Sequence, residues 1–552
     1  MAAFPERLKP TPAVARRFAE QWNRLYARLR LSHRELLREE PVTYAEGLEE
    51  IKPHWDFPPA KLLDSYRALL LQSENPDEKK SFIILSQMRP WKLQFKPLYF
   101  QYGGAFIYPL GAFLQALSWA RAVVVTHDLG HYLEKPGDMG RLYLAGRLFI
   151  LLFQLGSLAI LFDIGRRLWG WPAGGLAAVF YSLCPLAVVN SHVLKPHPYA
   201  VFWSLLALRA LVVGQESSDK RPLWICGLAA GMTAGSIFTM LPLLGLPALL
   251  WWTRRDRLRF KDALLATGLG VAVFVAANPY FIFVPSASAW ERQYATQMHG
   301  QPLLAAWSLL VSLARDAMGP ALLAASLAGL AVALRRGGPA RAPAAALAAV
   351  AMTTWAMLAL FFSGFAGLAR YYYVPVAWAC LFAAGGVTAL PRFLRIAALA
   401  AVLLDLAPRS FAYLENMRLD SSPSATRLEA AAWIDANIPA GASIGLLRYP
   451  EPGHAPPFRY DRYDLLIDGR PEALPARLWP STIAYEQREV LPKTEAWLRS
   501  NYDLAAAFRP FQWGWGRMHV EGMCFANPEL LIYRLKVPAP RTGSTFRRGR
   551  SR

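Results

Sequence analysis

Two adjacent carboxylates are the first groups along the chain that could act on a substrate. Asp77 and Glu78 follow Asn75 and Pro76 and precede a helix-like run at 79–88. Acidic residues often occupy this position because the helix dipole favours negative charge at an N-terminus, and this explains the pair when it is taken alone. A carboxylate can also take a proton from an attacking hydroxyl group, so both residues are candidates for general-base chemistry.

A second set of candidates is basic and lies in loops between apolar segments. Lys195 and His197 belong to the polar loop 190–199, Arg292 lies in a later loop, and Arg370 precedes three consecutive tyrosines. Most polar residues at the ends of membrane spans are interfacial, and an aromatic belt explains the tyrosines. Arg370 is harder to explain in this way, because outer loops usually lack arginine.

A metal site is a weaker possibility. His127 and His131 have the i, i+4 spacing that zinc ligands use on a helix. Gly130 weakens a helix at this point, and Asp128 is not the glutamate that metalloprotease chemistry requires. The four cysteines are too dispersed for a thiolate zinc site or a disulfide framework. The sequence therefore predicts no metal site and no certain cofactor, and a requirement for a divalent metal stays open.

The elements that must position these residues are membrane-spanning helices. Hydrophobic residues make up 54% of the chain and charged residues 18%, and apolar runs fill the region from 142 to 406. Since a helix needs about 20 apolar residues to cross the hydrocarbon core, the runs predict a polytopic α-helical membrane protein of about ten spans. The predicted spans are 147–164, 171–188, 198–213, 222–236, 238–252, 263–281, 318–334, 344–362, 371–390 and 395–409.

The net charge of +21 comes largely from short basic loops beside these runs. Cytoplasmic loops retain lysine and arginine, so the distribution indicates membrane topology and excludes a nucleic-acid partner. Placing the basic loops inside puts His197, Arg370 and the chain after Ala407 on the outer face, as in a protein of the inner (plasma) membrane with a periplasmic domain. The basic loops are 166–167, 220–221, 254–261, 335–341 and 392–395.

Two further apolar stretches, 103–120 and 302–316, are predicted to be interfacial helices. The region after a capping box at Thr426 and Glu429 alternates helices and strands, which is typical of a small α/β domain. Its predicted helices are 426–437 and 482–502, and its predicted strands are 443–447, 464–467, 504–508 and 530–535.

The predicted organisation therefore has five parts. They are a soluble amphipathic N-terminal segment at 1–75, a first external loop with a juxtamembrane helix at 76–146, a transmembrane helical domain at 147–409, an external α/β domain at 410–537 and a basic disordered tail at 538–552.

The order of these features resembles the GT-C superfamily of membrane glycosyltransferases. The resemblance is to the branch that uses polyprenyl-phosphate sugars, which includes protein O-mannosyltransferases and the aminoarabinose transferase of lipid A. Pro76-Asp77-Glu78 resembles the acidic motif of that family's first external loop, and 99–120 resembles the juxtamembrane helix that follows. The span opened by Arg147 is similar to the next element, and 424–441 is similar to the start of the external domain.

The chain also departs from the family pattern. Family members usually begin with a transmembrane helix, and residues 1–75 contain no apolar run of that length. In the aminoarabinose-transferase branch, a lysine aligns with Tyr102 and an acidic residue aligns with His197. We therefore expect the contacts to the donor to differ from those of that branch.

The resemblance implies an inverting glycosyltransferase that moves a sugar from a polyprenyl-phosphate carrier to a hydroxyl acceptor on the external face. The acceptor would be a lipid, a glycan or a protein. Asp77 is then the expected base, and Glu78 is its neighbour or a residue that orients the acceptor. The expected contacts to the donor phosphate and substrate are Arg370, Lys195, His197, Arg292, Arg147 and Tyr102.

Two other functions are compatible with the sequence. A transporter or flippase of lipid-linked sugars would also have many spans, but such proteins often show paired repeats and broken helices at the midplane. Here no repeat is visible and the polar candidates gather on one face. The third possibility is a non-catalytic assembly or sensor subunit that uses the external domain to bind a partner.

Overall fold

The computed structural model describes most of the chain beyond residue 70. The described residues are 71–73, 75, 77–86, 88–97, 100, 102–127, 131–132, 135–217, 219–284, 302–361, 369–447, 456–459, 462–467, 472, 476, 479–486, 492–512 and 526–536. They form two compact units, one drawn from Leu70–Arg418 and Phe511–Ala526 and the other from Leu419–Pro510 and Asn527–Arg552. Arg292, the basic tail 538–552 and nearly all of the predicted segment 1–75 lie outside the described residues.

The first unit is mostly helical. Many of its helices begin with a proline in the first turn, where the missing N–H group costs no hydrogen bond. The helices are α1 Glu78–Ser86, α2 Gly104–Trp119, α3 Pro136–Trp169, α4 Trp171–Leu183, α5 Pro185–Ser191, α6 Pro196–Glu216, α7 Arg221–Ser236, α8 Leu246–Thr253, α9 Phe260–Ala277, α10 Pro279–Phe283, α11 Pro302–Ser312, α12 Pro320–Arg336, α13 Arg341–Phe361, α14 Tyr373–Thr388 and α15 Arg392–Asp420. Short 3-10 or π turns are Pro90–Lys92, Phe238–Gly245, Leu313–Ala317 and Ala369–Tyr372.

The lengths of these helices identify a multi-pass membrane protein. Within the described residues, α3, α6, α9, α13 and α15 are long and apolar enough to cross a membrane, making five spans, or up to seven if each bent pair is one span. The bent pairs are α4 with α5, at 65°, and 306–317 with α12, at 117°. Every predicted span overlaps a helix. The total of ten spans stays a prediction.

Asp405 lies within the apolar part of α15, where a charged side chain usually indicates a functional site. Its Oδ2 atom accepts a hydrogen bond of 3.0 Å from the backbone N–H of Ala321, in the first turn of α12. Its Oδ1 atom accepts a bond of 3.0 Å from Nε of Arg409, one turn further along α15. Asp405 therefore caps a neighbouring helix, because free N–H groups at a helix start need an acceptor.

A buried cluster of polar side chains joins three helices of the first unit. Gln154 of α3 accepts a hydrogen bond of 3.0 Å from the Tyr181 hydroxyl of α4 and donates one of 3.1 Å to the Tyr373 hydroxyl of α14. The two tyrosine hydroxyls are 2.8 Å apart. Since each buried polar group has a partner, the cluster fixes how α3 and α14 pack, and these two helices adjoin the site described below.

The second unit contains a small mixed sheet. Its strands are β1 Ser443–Leu446, β2 Asp464–Ile467, β3 Thr482–Glu486, β4 Tyr502–Phe508 and β5 Leu530–Leu535. Their order is β2-β1-β3-β5-β4, with β2, β1 and β3 parallel and β5 antiparallel to β3 and β4. Ala430 and Ile434 of the helix α16, Thr426–Asn437, pack with Ile444 and Ile532 in its core.

Two expectations for this unit were wrong. The predicted helix 482–502 is a strand in its first part, β3, and becomes helical only in α17, Pro492–Asn501. Thr482, Ile483 and Tyr485 favour a strand, and β3 pairs with β1 and β5 on either side. The capping box does not form, because the Thr426 hydroxyl donates to the carbonyl of Pro528 at 2.7 Å.

Candidate active site

Asp77 is held at the start of α1 by the asparagine two residues before it. The backbone N–H of Asp77 donates a hydrogen bond of 3.1 Å to the side-chain oxygen of Asn75, and the N–H of Glu78 donates one of 3.2 Å to the Asn75 carbonyl. This turn, in which an asparagine side chain satisfies the backbone two residues on, is a common way to begin a helix. It fixes the backbone at both carboxylates.

The Asp77 carboxylate contacts two lysines. Its Oδ2 atom is 2.8 Å from Nζ of Lys195, and its Oδ1 atom is 2.9 Å from Nζ of Lys80. Lys195 lies just before α6 and its side chain is 10% exposed, whereas the Asp77 side chain is 25% exposed and remains open to a small substrate. A carboxylate with both oxygens paired to cations is an ionised group in a defined orientation.

The electrostatic environment keeps Asp77 charged. Burial of the carboxyl group favours its neutral form, but Lys195, Lys80 and Arg370 outweigh that effect and hold the pKa of Asp77 well below its usual value. Because one carboxylate faces three cations, the site carries excess positive charge. Such an excess suits an anionic substrate.

Glu78, the residue after Asp77, is completely buried. Its carboxylate accepts two hydrogen bonds from Arg147 of α3, at 2.9 Å from Nε and 2.6 Å from Nη2. The backbone N–H of Leu194 donates a third, at 2.7 Å. Since Leu194 precedes Lys195 and Glu78 follows Asp77, this buried contact sets the distance between Asp77 and Lys195.

Tyr102 contacts Asp77 through the backbone. Its hydroxyl donates a hydrogen bond of 3.2 Å to the Asp77 carbonyl. Burial, and then the charge of Asp77, raise the pKa of the Tyr102 phenol well above its usual value, so the group stays protonated and remains a donor.

The segment after Tyr102 is hydrogen-bonded, through Asn278, to the ends of α7 and α9. The N–H of Gly104 donates to the side chain of Asn278 at 3.0 Å, and the same side chain donates to the Gly235 carbonyl at 3.1 Å. A Cβ atom on Gly104 would lie 1.9 Å from the carbonyl oxygen of Ala277, so only glycine fits. Asn278 thus holds α2 against α7 and α9.

His197 and Arg370 complete the cluster. His197, in the first turn of α6, lies close enough to Lys195, Arg370 and Asp77 to interact with their charges. Its Nδ1 atom is buried and has no hydrogen-bond partner among the described residues. Arg370, in the turn Ala369–Tyr372, lies over the ring of Tyr371 at 5.3 Å.

The structure therefore brings most of the sequence-predicted site residues together. Asp77, Glu78, Tyr102, Arg147, Lys195, His197 and Arg370 lie around one carboxylate pair, and Arg292 lies outside the described residues. Arg147 binds the buried Glu78, which differs from the phosphate contact expected for it. Lys80 was missed, although its position three residues after Asp77 on a helix was a usable signal.

The two histidines with zinc-like spacing have separate partners. His127 lies 3.2 Å from the carbonyl of Met88, and His131 lies 2.9 Å from the carboxylate of Asp138. Among the described residues, no group of three or more His, Cys, Asp or Glu side chains could hold a metal ion.

Comparison with known proteins adds a likeness in structure. No protein-family model matches the chain, and no curated protein matches it in sequence. ArnT from Cupriavidus metallidurans bound to undecaprenyl phosphate is 14% identical, with a TM-score of 0.43 over 86% of this chain and 96% of that one.

Two further solved structures are similar at the same level. The archaeal oligosaccharyltransferase AglB from Archaeoglobus fulgidus, in complex with an inhibitory peptide and a dolichol-phosphate, is 12% identical with a TM-score of 0.38, over 83% of this chain and 74% of that one. The arabinofuranosyltransferase AftD from Mycobacteria is 14% identical with a TM-score of 0.38, over 87% of this chain and 40% of that one. Likeness at these TM-scores supports no transfer of residue roles or substrates.

Proposed function

We propose that the protein is an inverting glycosyltransferase that moves a sugar from a polyprenyl-phosphate carrier to a hydroxyl group of a lipid, glycan or protein acceptor. The observation that carries the proposal is the arrangement at Asp77. An ionised carboxylate, 25% exposed, lies 2.8 Å from Lys195 and within the field of Lys80 and Arg370. This combination supports the proposal, because the reaction needs a proton acceptor close to cations that can bind an anionic leaving group.

The chemistry requires both halves of this arrangement. The acceptor hydroxyl must lose its proton as its oxygen attacks the anomeric carbon, and Asp77 would accept that proton. The bond from that carbon to the phosphate oxygen breaks, and Lys195 and Arg370 would stabilise the negative charge that develops on the phosphate. Arg292 remains a further candidate for this contact, and His197 is a candidate contact to the substrate.

The low pKa of Asp77 has a consequence for its role as a base. A carboxylate paired with Lys195 at 2.8 Å is a weak proton acceptor. A donor phosphate that binds Lys195 and Arg370 would add negative charge nearby and share their hydrogen bonds, which raises the pKa of Asp77. Asp77 would then become a stronger base only when the donor is bound.

The location of the site is part of the proposal. With the basic loops inside the cell, Asp77, the loop of Lys195 and the α/β unit after α15 lie on the external face of the inner membrane. The predicted division into an external loop at 76–146, a membrane domain at 147–409 and an external domain at 410–537 follows from that orientation.

The test is sugar transfer in proteoliposomes. Purified protein is supplied with polyprenyl phosphates that carry labelled mannose, glucose or arabinose, together with lipid, glycan and peptide acceptors. The Asp77→Asn variant should lose at least about 10²-fold in transfer rate, which is the lower range for general-base catalysis. Lys79→Gln, on the same helix but paired with Gln72, is the matched control and should retain transfer.

Two results would contradict the proposal. Unchanged turnover in a folded Asp77→Asn variant would exclude Asp77 as the base. Movement of the labelled lipid across the bilayer without covalent transfer would instead favour a transporter or flippase of lipid-linked sugars.

A further inference from the structure

The loop 88–97 lies between the two elements that carry the site. It follows α1, which begins beside Asp77, and it precedes Tyr102 and α2. Its sequence, Met-Arg-Pro-Trp-Lys-Leu-Gln-Phe-Lys-Pro, contains three basic residues and no acidic one. The basic residues are Arg89, Lys92 and Lys96. We call residues 89–96 the basic loop.

The basic loop is closed by its own backbone. The N–H of Arg89 donates to the carbonyl of Gln94 at 2.8 Å, and the N–H of Gln94 donates back to the Arg89 carbonyl at 3.1 Å. Between them, Leu93 has a φ of 54°, in the left-handed region that residues with a side chain seldom adopt. These bonds hold the tip in a defined backbone conformation.

The tip presents large apolar side chains to the exterior. Trp91 is 67% exposed and Leu93 is 80% exposed, and Phe95 on the same loop is 37% exposed. Apolar groups of this size are seldom left in water together, so the surface is suited to a partner that accepts both apolar and cationic groups.

The position of the basic loop identifies that partner. The Phe95 carbonyl accepts a hydrogen bond of 3.3 Å from Tyr108, in the second turn of α2. The start of α2 is bonded to Asn278, which directly follows α9, a helix long enough to span the membrane. The loop therefore packs at the level where a span ends, which is the depth of lipid headgroups.

We propose that the basic loop enters the leaflet that borders the site and binds anionic phospholipids. Trp91 and Leu93 lie at the boundary between headgroups and acyl chains, where tryptophan is favoured. Arg89, Lys92 and Lys96 pair with lipid phosphates. Since α1 and Tyr102 flank the loop, this contact holds Asp77 at the depth of the lipid headgroups. The binding itself does not depend on the proposed sugar transfer.

The test measures the depth of the tip directly. A Leu93→Cys variant in a Cys524→Ser background is labelled with an environment-sensitive fluorophore, because Cys184, Cys226 and Cys380 are fully buried. The protein is reconstituted in phosphatidylcholine vesicles, with or without phosphatidylglycerol, and some lipids carry a nitroxide near the headgroup. Leu504→Cys, at a half-exposed position on β4, is the matched control.

The expected result is blue-shifted emission from position 93 and quenching by the nitroxide lipid several-fold stronger than at position 504. Trp91→Cys provides a second labelled position if Leu93→Cys does not fold. Emission typical of water at both tip positions would overturn the proposal. Blue-shifted emission without quenching would also overturn it, because the tip would then be covered by protein.

A second experiment tests whether the three basic side chains of the loop bind anionic lipids. Phosphatidylglycerol should increase the quenching at position 93, and the triple change Arg89→Gln, Lys92→Gln and Lys96→Gln should remove that increase. The matched control neutralises Arg335, Arg336 and Arg341, at the end of α12 and the start of α13, and should retain the increase. Persistence of the lipid effect in the loop variant would contradict the pairing of the loop with lipid phosphates. No donor or acceptor is present, so this result is independent of the transfer assay.

Discussion

At Glu78 a single side chain holds three parts of the chain together, because it binds Arg147 of α3 and the backbone of Leu194 while it begins α1. We predict that Glu78→Gln lowers the free energy of unfolding by about 3 kcal/mol, since it removes a completely buried charge from the ion pair with Arg147, whose side chain is 20% exposed. Thermal unfolding in detergent micelles measures the change. Transfer should fall as well, because the Asp77–Lys195 distance is no longer fixed.

A double variant separates the two effects of this pair. Glu78→Leu with Arg147→Met removes both charges, and replacing a buried ion pair with apolar residues is often neutral for stability. The double variant should therefore be more stable than Glu78→Gln while its transfer remains low. Recovery of transfer together with stability would contradict a positioning role for Glu78.

The pH dependence of transfer should depend on Lys80. Asp77 has a depressed pKa, so its ion pairs stabilise the fold at high pH, and that contribution disappears as the pH falls below its usual pKa of 3.8. Lys80→Gln removes one of the cations that depress the pKa, so the acidic limb of the rate profile should move to higher pH. The pH-rate profiles of the wild type and Lys80→Gln measure this shift, and a limb that moves to lower pH would contradict it.

Residue types and loop positions were enough to predict Asp77, Lys195, His197 and Arg370 as candidates, because the segments assigned to the outer face contain few charged groups. The sequence could not predict that Leu194 binds Glu78, since the two residues are 116 positions apart and a backbone N–H has no signature in the sequence. The same limit explains why Arg147 was expected at a phosphate. Its partner is a carboxylate on a distant helix.

The contact between α2 and the end of α9 should tolerate no side chain at Gly104. A Cβ atom there would meet the Ala277 carbonyl at 1.9 Å, so Gly104→Ala must displace α2, with a cost of about 1–3 kcal/mol. Gly268→Ala in α9 is the matched control, because nothing lies within 4 Å of its added Cβ atom. That change should be neutral or raise stability by up to about 1 kcal/mol. An equal fall in the melting temperatures of Gly104→Ala and Gly268→Ala would contradict the close contact between Gly104 and Ala277.

Helices were more predictable than their ends. Runs of apolar residues predicted the positions of α3, α6 and α9, because length and hydropathy are properties of the local sequence. The bends between α4 and α5 and before α12 lie at Pro185 and at Gly319-Pro320, and these residues mark a break in the helix without specifying its angle. Strand β3 was missed although Thr482, Ile483 and Tyr485 favour a strand, and its pairing with β1 and β5 agrees with that local preference.

At the scale of the whole molecule, the distribution of basic loops predicts which side of the membrane each segment faces. The loop 217–220 between α6 and α7 should be cytoplasmic, and the α/β unit after α15 should be external. Asp219 is exposed in that loop, and Ser500 is exposed on α17. In a Cys524→Ser background, Ser500→Cys should react with a membrane-impermeant maleimide in intact spheroplasts. Asp219→Cys should react only after permeabilisation.

This experiment tests the positive-inside assignment on which the external location of the proposed site depends. Both reporter positions are exposed, so a difference in labelling comes from the membrane barrier rather than from burial in the protein. Labelling of both from the same side would contradict the alternation of the predicted spans. If Asp219→Cys were labelled in intact spheroplasts and Ser500→Cys only after permeabilisation, the α/β unit would be cytoplasmic. The five basic loops would then be outside, contrary to the positive-inside rule.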